Sequence, residues 1–345
     1  MPYVVSVGID ISKSKFDISV TSRSKVFNIK YFSKSNHHCS FNNTTKGIEK
    51  LCRKLSKLNI SKNSKVIMES TGDYHLLVAY MLQDKYNTYV INPLISHGVI
   101  KTNVRKVKSD KADSLVLSRL GIDNNNLEIK KLNKFKISKN QISKNKLLSF
   151  TKCINKHKAA LKLSIKNLKE TTGKFNITDM NDPIKAMEDI VKQMEQTIDS
   201  ISRIIEEKIE NKVLQKSLAN VKGLSLKTAS QVISTIEDKT FKTKNSIVSF
   251  AGLDISTKES GTFKGRSKLT KRGNEILRAQ LFFGAWGLMM HNDKFKEYYE
   301  YQKQKGRKYK EILVMIARKL LKMIYGAMKD NNEFNINKFQ FNYSK

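Results

Sequence analysis

The sequence predicts an α/β domain followed by a mostly helical remainder. Short apolar runs alternate with helically spaced segments through the first 120 residues, the pattern of a mixed sheet with flanking helices. From about Lys144 to Leu218 a helical pattern is sustained, with Pro183 as its breaker. Beyond a Gly- and Lys-rich stretch at 250–278, "YKEILVMIARKLLKMIYGAM" is amphipathic at helical period. A chain of 345 residues suggests two or three domains.

In chain order, "YVVSVGID" is a short apolar strand ending in an acid, "KFDISVTS" alternates as a second, and "VFNIKYF" completes a meander. "TTKGIEKLCRKLSKL" places Ile48, Leu51, Cys52 and Leu55 on one helical face, with Thr44 or Thr45 as its cap. "SKVIMES" is a buried strand ending in an acid, "GDYHLLVAYMLQDK" a helix, and "NTYVINP" a strand stopped by Pro93. "DKADSLVLSRLG" is a helix stopped by Gly121, with Ala112, Leu115, Val116 and Leu120 as its apolar face. Thr71 is a possible cap and Tyr74 a core aromatic.

Residues 122–142 are rich in Asn and Lys and read as a linker. The long helical stretch fits a coiled-coil hairpin interrupted near "TTGKFNITDMNDP". "SLANVKGLSLKTASQVISTI" reads as a helix-hairpin-helix segment, where Lys222 and Gly223 would bring backbone amides to a phosphate. The final "NNEFNINKFQFNYSK" lacks any period and is expected to fray. The predicted domains are 1–125 (α/β, acidic), 126–215 (linker and coiled coil), 216–330 (helical, with the helix-hairpin-helix-like segment) and a tail, 331–345.

Lys and Arg number 65 against 31 Asp and Glu, a formal charge of +34. Part of the lysine excess fits an AT-rich genome, but the imbalance exceeds what solubility needs and points to a polyanion. Nucleic acid is the first candidate and an anionic membrane surface the second. Three scattered cysteines form no metal or disulfide pattern, and no apolar run is long enough to span a bilayer. A soluble cytoplasmic protein, associated with the nucleoid when bound, is expected.

Against that charge, four carboxylates need a reason. Asp10 and Glu69 each end a buried strand, while Asp110 and Asp113 share a helix, about 60° apart around its axis. Converging acids would repel unless cations neutralised them. Two Mg²⁺ ions ~4 Å apart would do so and would clamp a phosphodiester. The all-oxygen donor set suits Mg²⁺ or Mn²⁺ over zinc.

"GIDISKSKFDISV", "MESTGDYHLLVAYML", "VINPLISHGVIKTNVRKVKSDKADSLVLSRL" and "FAGLDISTKESGTFKGRSKLTKRGNEILRAQLF" resemble transposases of the insertion sequence 110 family, in the family's order, over roughly residues 3–328. The resemblance implies a RuvC-like, RNase H-like domain whose Asp-Glu-Asp-Asp tetrad falls on Asp10, Glu69, Asp110 and Asp113. It implies a C-terminal transposase domain of the 116/110/902 type, whose serine matches Ser260 and would form a covalent phosphoserine with DNA. It further implies a structured guide (bridge) RNA from the same element, donor and target DNA as partners, and a homodimer that assembles to a tetramer on DNA. The linker is unusually rich in Lys and Asn, and the helical region lacks the Arg-heavy look of relatives.

Ser260 precedes Gly261, which permits a tight turn. Lys264, Arg266, Lys268, Lys271 and Arg272 follow and could grip flanking phosphates. Ser256 and Ser267 are the neighbouring serines. The function expected is a metal-dependent DNA transposase/recombinase. Competing readings are a RuvC-like Holliday-junction resolvase using water, a site-specific DNA invertase, and an architectural nucleic-acid-binding protein.

Overall fold

The computed structural model describes residues 4–23, 38–58, 60–70, 72–93, 96, 110–122, 134–256, 259–260, 263–264, 268–330 and 332–338. For 4, 23, 110–111, 256, 259–260, 263–264 and 268 it describes the backbone alone. The chain divides into two compact units, 1–138 and 139–345.

The first unit is built on a five-stranded mixed sheet of order β3-β2-β1-β4-β5. Its strands are β1 (Val4–Ile11), β2 (Lys15–Arg23), β3 (Cys39–Asn42), β4 (Lys65–Glu69) and β5 (Asn87–Ile91). The first three pair antiparallel, whereas β4 and β5 continue the sheet parallel to β1. The third strand expected at 26–32 lies outside the described residues; Cys39–Asn42 holds the third position here.

Helix α1 (Thr45–Lys57) starts at Thr44, whose hydroxyl accepts from the Gly47 N–H at 3.2 Å. Its Ile48, Leu51 and Leu55 are fully buried with Val7, Ile9, Phe16 and Met68 on one face of the sheet. Helix α2 (His75–Leu82) joins that layer through Val78, Ala79 and Leu82. Thr71 lies outside the described residues, and Tyr74, expected in the core, is 42% exposed. It precedes α2 beyond the left-handed Gly72 (φ 51°), where the chain turns away from the sheet.

Helix α3 (Asp110–Ile122) covers the opposite face, and its packing departs from the apolar pattern. The residues fully buried there include Ser114 and Ser118, while Ala112, Leu115 and Val116 are only half-buried. Gly121 does not stop the helix. A Cβ at that position would fall 2.0 Å from Ser6 Oγ, so glycine is required for contact with the sheet. Beyond α3, residues 134–138 strap back onto the first unit. The Phe135 N–H donates to Thr88 O at 2.7 Å, and Gln83 exchanges two hydrogen bonds with the backbone of Ile137.

The second unit opens with an antiparallel hairpin of α4 (Lys139–Phe175) and α5 (Asn181–Lys208). At 37 residues α4 is ~55 Å long. The helices meet through Leu148, Ile154, Ile198, Ile201 and Ile205 near the base, and Ile165, Ile184 and Val191 further out. Pro183 breaks nothing, because it lies in the first turn of α5, where an N–H has no intrahelical partner to lose.

Helices α6 (Lys212–Ala219), α7 (Leu226–Ile236), α8 (Lys244–Phe250), α9 (Glu275–His291), α10 (Asp293–Gln304) and α11 (Tyr309–Lys329) enclose the unit's main core. The tail expected to fray is ordered over 332–338, with Phe334 buried in that core and a 3-10 turn at Ile336–Lys338. Among the described residues, no helix is long and apolar enough to cross a membrane.

Candidate acidic site and serine hairpin

Strand register positions the first two acids. Ile9 lies beside Met68 in the parallel β1–β4 pair, so the next residues, Asp10 and Glu69, are adjacent on strands ~4.8 Å apart. Both face the side covered by α3 and both are half-buried. Register likewise pairs Asp10 with Asp17 across β1 and β2, putting a third carboxylate on that side. Asp17 is 4% exposed. Its Oδ2 lies 3.5 Å from Lys15 Nζ and its Oδ1 3.3 Å from His38 Nε2, close enough for charge interaction.

The helix that carries the other two acids is held against β1 backbone to backbone. A Cβ on Gly8 would sit 2.1 Å from Ser114 O and 2.2 Å from Ser118 N. Two buried hydroxyl pairs lock this contact: Ser19 with Ser114 at 2.8 Å, and Thr21 with Ser118 at 2.6 Å. Ser118 is thus level with residues 6 and 21, and Ser114 with residues 8 and 19. One further turn back, ~6 Å, corresponds to two strand residues and brings position 110 level with Asp10 and Asp17. Asp113 belongs to the row of Leu117 and Leu120, which pack on Ile67 and Ile91, so it leans towards β4 and Glu69. Asp113 is half-buried; Asp110 is placed by its backbone.

Asp10, Glu69, Asp113 and the backbone of residue 110 therefore converge on one end of the sheet–helix seam. Among the described residues, no three acidic, His or Cys side chains are close enough to hold a metal ion. The acids on this side carry the oxygen donors that hard cations take, with a polar seam of serines behind them.

In the second unit, four short strands within 255–269 pair as two nested antiparallel ladders, a hairpin arrangement. Strand β6 (Ile255–Ser256) pairs with β9 (Lys268–Leu269), and β7 (Glu259–Ser260) with β8 (Phe263–Lys264). Ser260 pairs with Phe263, so the serine stands at the end of β7 with two residues joining it to β8.

The base of this hairpin is clamped. A Cβ on Gly252 (φ 65°) would lie 2.9 Å from Gly273 N, and one on Gly273 would lie 2.4 Å from Gly252 N. Asn274 N–H donates to Phe250 O at 2.7 Å, its side chain caps α9 by accepting from Leu277 N–H, and Arg278 donates to Ala251 O at 3.0 Å.

Of the predicted basic contacts, Lys264 and Lys268 lie on β8 and β9, and Lys271 and Arg272 are exposed where the hairpin ends. Arg266 lies outside the described residues. Lys222 is exposed in the α6–α7 turn. Beside it, Gly223 (φ 100°) packs on α9: a Cβ there would meet Gly287 O at 2.4 Å. The glycine's conformation and lack of side chain thus serve packing.

Two family models match the chain in the order of these sites. A transposase model of the IS110 Asp-Glu-Asp-Asp type matches residues 7–139, spanning all four acids. A model described as "Transposase IS116/IS110/IS902 family" matches 215–300, spanning Ser260 and the hairpin. The chain belongs to the IS110 transposase family. Curated relatives include pilin gene-inverting proteins of Moraxella bovis and Moraxella lacunata, each 26% identical over 95% of this chain and 97% of theirs. An uncharacterized 43.6 kDa protein of insertion element IS110 from Streptomyces coelicolor is 28% identical over 35% of this chain and 30% of its own. IS110-family proteins are DNA-recombining enzymes, which fits the strongly basic character of the chain.

Sequence reasoning missed Asp17. In "KFDISV" it alternates with Phe16 and Ile18 and so reads as a residue of an open strand face. The signal available was its position: the hairpin after Asp10 sets it opposite that acid.

Proposed function

We propose that this IS110-family chain is a divalent-metal-dependent DNA recombinase in which Ser260 is the nucleophile and Asp10, Glu69, Asp110 and Asp113 form the acidic site of a RuvC-like domain. The observation that carries the reading is the register of Asp10 with Glu69 beneath the start of α3, together with the strand order of the sheet. Ser260 Oγ gives up its proton and forms a bond to phosphorus as the bond to one sugar oxygen breaks, and that oxygen takes up a proton, so none is gained or lost. The strand is held as a phosphoserine diester, which conserves the bond energy for rejoining to another strand. The acids would hold Mg²⁺ or Mn²⁺, which when bound would stabilise the charge developing on the phosphate. The lysines and arginines flanking Ser260 neutralise neighbouring phosphates and hold the duplex in register.

Recombination between two duplexes breaks four strands, and one serine serves each. We therefore infer a homodimer that assembles to a tetramer with donor and target DNA. A structured RNA from the same element supplies sequence recognition by pairing, and the +34 charge supports such polyanionic partners.

Ser260→Ala should abolish covalent protein–DNA adducts on denaturing gels while leaving duplex binding intact. Adducts that persist in this variant would overturn the nucleophile assignment. A second reading, inversion of a DNA segment between two sites, is favoured by the end-to-end match to proteins named as gene-inverting. A plasmid with two inverted sites distinguishes it: inversion gives one circle of unchanged size, whereas transposition changes the size of the target.

A further inference from the structure

The C-terminal segment builds a second basic surface, lined by no residue of the serine hairpin. Phe334 anchors it, its side chain buried in the core and its N–H donating to Ser217 Oγ at 2.9 Å. At its start, Asn332 N–H donates to Ala327 O at 2.9 Å, which lays the segment along α11. A cleft of about 410 Å³ runs between the two. Lys319 and Lys322 reach it from α11, Lys244 from the first turn of α8 and Lys338 from the 3-10 turn. Asp330 and Glu333 also line it, so four lysines against two acids leave a surplus of two positive charges.

The floor is small-sided: a Cβ on Gly326 would meet nothing within 4 Å. On the other side of the same segment a second cleft, about 660 Å³, contains Lys222 and shares Lys338. Lys338 thus joins the two clefts, with Lys222 in one and Lys244, Lys319 and Lys322 in the other. Burial, and next the ammonium of Lys322, hold Lys319 below the ordinary lysine range. A bound anion would offset both.

We propose that this lysine track binds the phosphate backbone of duplex DNA, as a site separate from the hairpin around Ser260. The lining favours a duplex over unpaired bases. Among the described residues its one aromatic ring, Phe334, is buried and offers no platform for stacking, and lysines act as point charges on phosphates. The proposal rests on the reading of the chain as a DNA recombinase.

The test uses the full chain and a short labelled DNA duplex of arbitrary sequence, titrated by fluorescence anisotropy over a salt series. Lys319→Gln with Lys322→Gln should weaken binding roughly tenfold and reduce the log–log salt slope by about 2. Gly326→Asp adds a carboxylate to the floor without a clash, so it should weaken binding at an unchanged unfolding temperature. Unchanged affinity and slope in both variants would overturn the proposal. So would a loss confined to an RNA duplex with none on DNA. Adducts that require Ser260, combined with no effect of the cleft variants, would sink the track alone. Absence of any salt-dependent duplex binding by the unmodified chain would sink the recombinase reading and the track with it.

Discussion

The hydroxyls of Ser19 and Ser114 share a buried hydrogen bond of 2.8 Å, directly beside the point where α3 rests on Gly8. This pair fixes the height and the register of the helix that carries Asp110 and Asp113. Gly8→Ala would drive a methyl into Ser114 O, 2.1 Å from its Cβ, and force the helix off the strand. A loss of roughly 1–3 kcal/mol or more is expected. Ser114→Ala removes one hydroxyl and leaves the backbone contact, so it should cost about 1 kcal/mol. Urea unfolding measures both. Adduct formation should fall far more in Gly8→Ala than in Ser114→Ala.

Asp10 and Asp17 face one another across β1 and β2, yet their surroundings differ. Asp17 is held by Lys15 and His38, which compete with a cation for its oxygens. Titration calorimetry with Mn²⁺ should show binding lost in Asp10→Asn and weakened by less than tenfold in Asp17→Asn. Equal loss in the two variants would make Asp17 a full ligand.

In the second unit, the buried ammonium of Lys144 on α4 lies between Glu237 and Asp238, 3.0 Å from the latter. Glu237 also accepts from the N–H groups of Glu210 and Asn211, so one lysine ties the coiled-coil base to two joints of the core. Lys144→Met would leave these carboxylates without their cation and should cost about 3–5 kcal/mol. Burial lowers the lysine's pKa, but hydrogen bonds and attraction from the two acids outweigh it, and the net shift is upward. A raised lysine contributes stability that is complete below its unfolded pKa of ~10.4 and is lost as pH rises through the higher folded value. Unfolding temperature should therefore drop steeply only in strong alkali, and Lys144→Met should remove that step.

The coiled coil responds at the other end of the pH scale. Lys162, 2.7 Å from Glu195, holds that carboxyl below its ordinary 4.5, and Lys227 holds Asp199 below 3.8. Lowered carboxylates contribute stability above their ordinary values, and it is lost as pH falls through the shifted ones. Both pairs are exposed, so the effect should be small and local. Amide exchange in α4 and α5 should quicken below about pH 4 before the helical core responds.

Much of the architecture was legible because burial leaves a period. Ile48, Leu51 and Leu55 announce the buried face of α1 at helical spacing, and Val66 to Met68 announce a strand covered on both sides. Helix α3 was legible as a helix, but its seam with β1 was not, since that seam carries Ser114, Ser118 and Gly121 in place of large apolar groups. Close backbone approach requires small residues, and these have no hydrophobic signature. Gly223 shows a related ambiguity: a glycine suited to a phosphate loop also suits packing against Gly287, and sequence does not reveal the neighbour. Phe334 drew the tail into the core from a segment without any period, because one anchor needs no repeat.

The clamp between Gly252 and Gly273 separates two properties that usually change together. With the base closed, Ile255 at the start of the first arm is already 54% exposed. Inserting matched residues in both arms would carry Ser260 outward by ~3.3 Å per pair while no core side chain shifts. Descendants of such a chain could adapt the span of their nucleophile to a new substrate geometry by loop length alone, and keep the inherited scaffold untouched.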